Sequence, residues 1–198
     1  MTRRLLRGPR AIAAGGLLLL GAALLLHGTW IPVKAAVAQV LLERSWQAHL
    51  EGRVVKPWPW ADTQPIARLI VPRLDVDMLV LNNASGRSLA FGPVWVDPSA
   101  PLGGYGNSVL SGHRDTHFEF LRHLREGDRI IVQTTEGMET FEVRSHWVFD
   151  QRDEYIVLST LDRRLTLLTC YPFDSIVPGG DLRFAIEAVA VGAGDRSS

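Results

Sequence analysis

Residues 165–191 read LTLLTCYPFDSIVPGGDLRFAIEAVAV. Leu165 to Thr169 and Arg183 to Val191 have the branched, apolar texture of short strands. Between them Pro172, Pro178, Gly179 and Gly180 forbid regular structure. Cys170 therefore ends one strand, and Arg183 opens the next 13 positions later. If the two strands pair, both side chains meet near one rim of a sheet. An arginine beside a cysteine stabilises the thiolate, and its fork of donors can also bind an oxyanion. A buried, inert cysteine and a solvated arginine fit the same pattern. Cys170 is the single cysteine of 198 residues, so it has no disulfide partner within the chain.

Upstream the texture is the same. Ile66 to Val71, Val76 to Leu81, Asn107 to Gly112, Arg129 to Thr134 and Glu139 to Phe149 are further strand candidates. Phe118 to Arg125 predicts a short helix stopped by Gly127. Thr116 can cap it, with Glu119 as the capping-box partner. Many short strands and few helices predict an antiparallel sandwich or barrel, a mainly β fold. Gly103-Gly-Tyr-Gly106 reads as a turn, since neither a clear strand before it nor a long helix after it makes a phosphate loop.

The densest polar cluster is Gly112-His113-Arg114-Asp115-Thr116-His117, directly after the strand ending VLSG. A histidine at a strand end is held by the scaffold yet open to substrate. A surface histidine capping a turn is the plainer reading. His113 and His117 also have the i, i+4 spacing of a zinc pair. A zinc hydrolase of that kind needs glutamate after the first histidine, and Arg114 stands there, so no metal is expected. Asp75 and Asp77 alone are too few acids for calcium.

The N-terminus reads as a membrane address. Arg3, Arg4, Arg7 and Arg10 precede AIAAGGLLLLGAALLL at 11–26. With Trp30 to Val33 the apolar stretch over 11–33 is long enough to cross a bilayer, and Trp30 would sit at the far interface. An uncleaved signal anchor is expected over cleavage near Ala35, Ala36 and Ala38, with the basic flank 1–10 in the cytoplasm. Ala35 to His49 predicts a helix, stalk-like or packed back on the domain. Lys56-Pro-Trp-Pro-Trp60 predicts an extended linker whose tryptophans rest on the membrane or cover the domain. Lys+Arg and Asp+Glu are equal at 21 each, which gives no electrostatic reason to expect nucleic acid.

Taken together, His113 in GHRDT, Thr166-Leu-Leu-Thr-Cys170 and Arg183 resemble the sortases, over Ile66 to about Val191. The anchor followed by PWPWAD resembles the sortase subgroup of Gram-negative bacteria. The resemblance implies an eight-stranded β-barrel over 66–191, after an anchor at 11–33 and a juxtamembrane helix and linker at 34–65, with a polar tail at 192–198. It implies a membrane-anchored cysteine transpeptidase of the inner membrane, single-pass, with its catalytic domain in the periplasm. Cys170 would attack an LPxTG-like sorting signal on a protein substrate and form a thioacyl-enzyme, and an amine acceptor would take the acyl group. His113 would move the protons. Arg183 would stabilise the oxyanion or hold the signal, and Thr169 would donate through its backbone or hydroxyl. No cofactor is implied. Three other functions compete: a cysteine peptidase hydrolysing the same bond, a non-catalytic tethered binding domain, and an L,D-transpeptidase. The last would carry an SHGC segment, where Leu-Leu-Thr stands before Cys170.

Overall fold

A computed structural model describes residues 8–82, 86–175 and 179–192. The expected basic flank therefore lies mostly outside the described residues, as do the polar tail beyond Gly192 and the side chain of Trp30. The described residues divide into two compact units, one up to Val40 and one from Leu41 onward.

One helix, α1 (Gly8–Leu50), takes in both the apolar run and the segment predicted as a separate helix at 35–49. Pro32 lacks one backbone donor, yet the helical bonds on either side outweigh that loss and no break occurs. Up to Val40 the helix exposes large apolar side chains, among them Leu17, Leu18, Leu19, Leu20, Leu24 and Leu25. Several positions inside the apolar run carry no described side chain. Among the described residues, no helix is long and apolar enough to cross a membrane.

The second unit is a closed barrel. Its strands are β1 (Pro65–Val71), β2 (Val76–Leu81), β3 (Val94–Trp95), β4 (Gly106–Ser111), β5 (Arg129–Thr134), β6 (Gly137–Asp150), β7 (Arg163–Cys170) and β8 (Leu182–Ala190). They close in the order β1-β2-β3-β4-β7-β8-β6-β5, with β5 returning to β1. The predicted strands are present with ends moved by one or two residues. β3 was not anticipated, because two residues are too few to show alternation. The prediction of purely antiparallel pairing is corrected: β2 with β3 and β4 with β7 run parallel.

Alternation decides which residues fill the barrel. In β1, Pro65, Ala67, Leu69 and Val71 are buried while the residues between them are not. Leu110, Ile130, Phe141, Leu165, Leu167 and Ile186 join them in one core. The helix predicted at 118–125 is instead a 3-10 turn, Glu119–His123, and Phe118 at its start receives no side-chain cap. The reason is packing: Phe118 is fully buried in the core, and its backbone N–H donates to His113 O at 3.0 Å, so the chain folds back there without Thr116.

The tail of α1 belongs to this unit. Leu42 and Trp46 are fully buried against Leu79, Leu81 and Val94. Ser45 Oγ donates to Val55 O at 2.5 Å, and Arg68 bonds Glu43 at 2.6 Å. One of the two linker tryptophans covers the domain, as expected of it. Trp58 packs on this cluster beside Phe91, with ring centroids 5.4 Å apart, whereas Trp60 is 82% exposed.

Candidate active site

Three adjacent strands bring the predicted residues to one rim. β4 and β7 run parallel with Ser111 opposite Leu168, so two further steps of the register, past the end of β4, would set His113 beside Cys170. β7 and β8 run antiparallel with Cys170 opposite Arg183. Directly opposed residues share a face. Cys170 and Arg183 are thus paired across β7 and β8 on the side of the sheet away from the core, and on the extended register His113, two residues past the end of β4, falls in line with them. Leu165 and Leu167 point inward, and Cys170 falls on the opposite parity. Cys170 is a free thiol of intermediate exposure, and His113 is exposed.

Gly112 sets the height at which His113 leaves the sheet. Its N–H donates to Leu168 O at 3.2 Å, and its carbonyl accepts from Thr169 Oγ1 at 2.7 Å. A Cβ at Gly112 would meet the Phe118 ring at 2.7 Å, so a side chain there would push out either the ring or the loop. The glycine before the histidine is therefore a packing requirement. Thr169 is buried, and its hydroxyl proton is committed to Gly112. That leaves the backbone half of the expectation for Thr169.

Arg183 lies in register with Cys170, but its Nη1 donates to Gly180 O at 2.8 Å and Leu182 O at 3.0 Å. Close by, Arg152 bonds Asp150 at 2.6 Å and reaches Asp181 at 3.3 Å. The Asp150 carboxyl is pushed down to about 2, chiefly by its hydrogen bonds from Arg152 and further by the charge of Arg183. These ions link the base of the segment 151–162 to the segment before β8.

On the other side of Cys170, Arg114 is buried and donates to Pro172 O and Ser175 O. In the sequence it marks only the place where a zinc hydrolase would need glutamate. Burial pushes the His117 pKa down, and the neighbouring charge of His113 adds to this. Among the described residues no three His, Cys, Asp or Glu side chains gather to hold a metal ion.

Behind the rim the outer face continues as rows of opposed residues: Ser111, Leu168, Ala185 and Trp147, then Val109, Thr166 and Glu187. The segment 151–162 runs beside it. Asn107 N–H donates to Leu158 O and its Nδ2 to Val157 O, both at 2.9 Å. Between segment and sheet lies a hollow of about 350 Å³ lined by Trp147, Tyr155, Ile156 and Val157 among others. A partly exposed thiol, an imidazole and a guanidinium near one rim of this sheet suit attack on the carbonyl of an extended peptide.

A sequence model of the Sortase domain family matches residues 69–191. The chain is 29% identical over 109 residues to Sortase D of Bacillus subtilis (strain 168), covering 54% of this chain and 55% of that protein. It is 28% identical over 109 residues to Sortase A of Listeria monocytogenes, covering 53% and 49%. The chain thus spans about half the length of these relatives. Among solved structures, a Clostridium perfringens Sortase D5 transpeptidase superposes with a TM-score of 0.64 at 18% identity, covering 79% of this chain and 99% of that one. Sortase A from Corynebacterium diphtheriae gives 0.62 at 22% identity, covering 76% and 70%.

Proposed function

Since the chain belongs to the sortase family, we propose that it is a cysteine transpeptidase acting on an LPxTG-like sorting signal, with Cys170 as nucleophile. The observation that carries this reading is Cys170 opposite Arg183 in the β7–β8 pairing, with His113 two residues past the end of β4, the parallel neighbour of β7. The Cys170 thiolate adds to the scissile carbonyl carbon. Arg183, through a guanidinium nitrogen other than Nη1, offsets the charge that develops on the oxygen. The C–N bond breaks, His113 gives its proton to the departing amine, and a thioester remains. An incoming amine then attacks the thioester, His113 takes up its proton, and the thiolate leaves. The groove between the outer face and 151–162 is where the signal lies extended.

The full chain in detergent, given an LPxTG-like peptide library and a glycine peptide, yields a transfer product detectable by mass spectrometry. His113→Ala lowers the rate by about 10²- to 10⁴-fold, and Arg183→Ala by about 10²- to 10³-fold. Cleavage without transfer would instead identify a peptidase. Full activity in both variants would remove the mechanism.

The same reading anchors the chain in the inner membrane of a Gram-negative cell, its N-terminus cytoplasmic and its barrel periplasmic. Its support is the arginine-flanked apolar run at 11–26, the exposed leucines of α1 and the PWPWAD segment that follows. The expected result is that the full chain stays with membranes through an alkaline carbonate wash, while a chain starting at Leu41 washes off. Release of both would leave the anchor without support.

A further inference from the structure

Besides the Thr169–Gly112 bond, a second buried side chain, Arg114, joins the segments that carry His113 and Cys170. We propose that Arg114 is a positioning residue for acyl transfer: it fixes the loop carrying His113 against the loop that follows Cys170, and so sets the separation of the two reacting groups. This inference rests on the transpeptidase reading above.

Arg114 has a side chain only 4% exposed, in a loop where His113 and Asp115 are both exposed. Its fork is used on three sides. Nε donates to Asp115 Oδ1 at 2.8 Å, Nη1 to Pro172 O at 2.7 Å and Nη2 to Ser175 O at 2.8 Å. The two carbonyls lie 58 and 61 positions away in sequence, so this is a tertiary bracket and not a local turn. Its ends sit next to the chemistry: Arg114 follows His113 directly, and Pro172 lies two residues after Cys170.

A second arginine fastens the same stretch from the 3-10 turn. Arg122 Nη1 is 3.0 Å from Asp174 Oδ1, and its guanidinium carbon lies 4.8 Å over the Phe173 ring. Phe173 in turn packs edge-on against Phe184, with centroids 5.1 Å apart. Loop 171–175 is thus held by aromatic packing and one ion pair, and Arg114 alone links it to the histidine loop through main-chain carbonyls among the bonds described. A planar fork suits this because its donors diverge in fixed directions, whereas a lysine ammonium is a point that cannot span both carbonyls. The buried cation also stands near the nucleophile. The Asp115 carboxylate first, and then charge on Cys170, hold the guanidinium in its charged form.

The test uses the full chain, an LPxTG-like peptide and a glycine peptide, with alkylation of Cys170 by iodoacetamide followed across pH. Arg114→Lys keeps the charge but loses the fork. Its kcat is expected to fall about 10²-fold, the scale of a displacement near 1 Å. KM should stay within about threefold, since the groove is untouched. Its rate of Cys170 alkylation should match the wild type, since the thiol and its access are unchanged. A folded Arg114→Lys with kcat within about threefold of wild type overturns the proposal, as does a loss confined to KM. If Arg114→Lys does not fold, Asp115→Asn carries the test. Asp115 is 67% exposed, so its loss disturbs only the orientation of the fork. It should lower kcat severalfold with alkylation retained, and unchanged kcat overturns the proposal. A wild-type chain that alkylates at Cys170 but transfers nothing refutes the transpeptidase reading itself. An active wild type matched by Arg114→Lys refutes only the role of Arg114.

Discussion

Cys170→Ala is expected to erase acyl transfer while leaving the barrel folded. The thiol faces away from the core at the open end of β7, so removing its sulfur opens no cavity among the packed residues. The neighbours that hold this strand end are unaffected: Thr169 keeps its bond to Gly112, and the backbone pairing with Arg183 does not involve the side chain. Without a nucleophile no thioester can form, and the rate should fall by at least about 10³-fold. Intact-mass measurement of the enzyme with peptide but without amine gives the direct readout. Wild type should gain the acyl group, and the variant nothing. The melting temperature should move by no more than about 2 °C. An acyl adduct on the variant would place the nucleophile elsewhere.

The largest effect on stability is expected at the tail of α1. Trp46 is fully buried with Leu42 against Leu79, Leu81 and Val94. Trp46→Ala should cost about 3–5 kcal/mol, because the barrel wall cannot collapse into so large a gap. Trp46→Phe should cost much less. It retains most of the ring area and deletes Nε1, a buried donor without a partner among the described residues. Urea midpoints of the two variants, in a chain beginning at Leu41, measure the difference. Equal and small shifts would mean that this helical tail is peripheral to the fold. The same packing sets where a soluble fragment can begin. Starting at Pro57 would strip off Leu42, Trp46 and the Glu43–Arg68 pair.

Most strands were legible because alternation and β-branched composition act over a few residues. The pairing of Cys170 with Arg183 was legible for a related reason, as the two lie on either side of a segment whose prolines and glycines force a connection. Other pairing was not legible. The parallel contact of β4 with β7, the strands that lead to His113 and Cys170, joins residues nearly sixty positions apart and leaves no local mark. The two-residue β3 is below the length at which any period can be read. The bracket made by Arg114 was hidden because its distant partners are carbonyl oxygens, which every residue possesses. The use of the Thr169 hydroxyl as a brace to Gly112 escaped notice because that bond crosses between strands.

The extrusion of Cys170 and burial of Thr169 have a consequence for how β7 can vary. Neighbouring positions on a strand face opposite ways, so orientation here is a matter of odd and even. Slipping β7 by one residue against β4 and β8 would turn the thiol into the barrel and bring the threonine out. The row at the rim would then contain no nucleophile, although every strand was still paired. Slipping it by two would restore the facing but carry the thiol about 7 Å along the sheet, away from its partners. Insertions and deletions in this strand are therefore filtered by parity as well as by packing, and lineages that keep the chemistry must absorb length changes in the connecting loops.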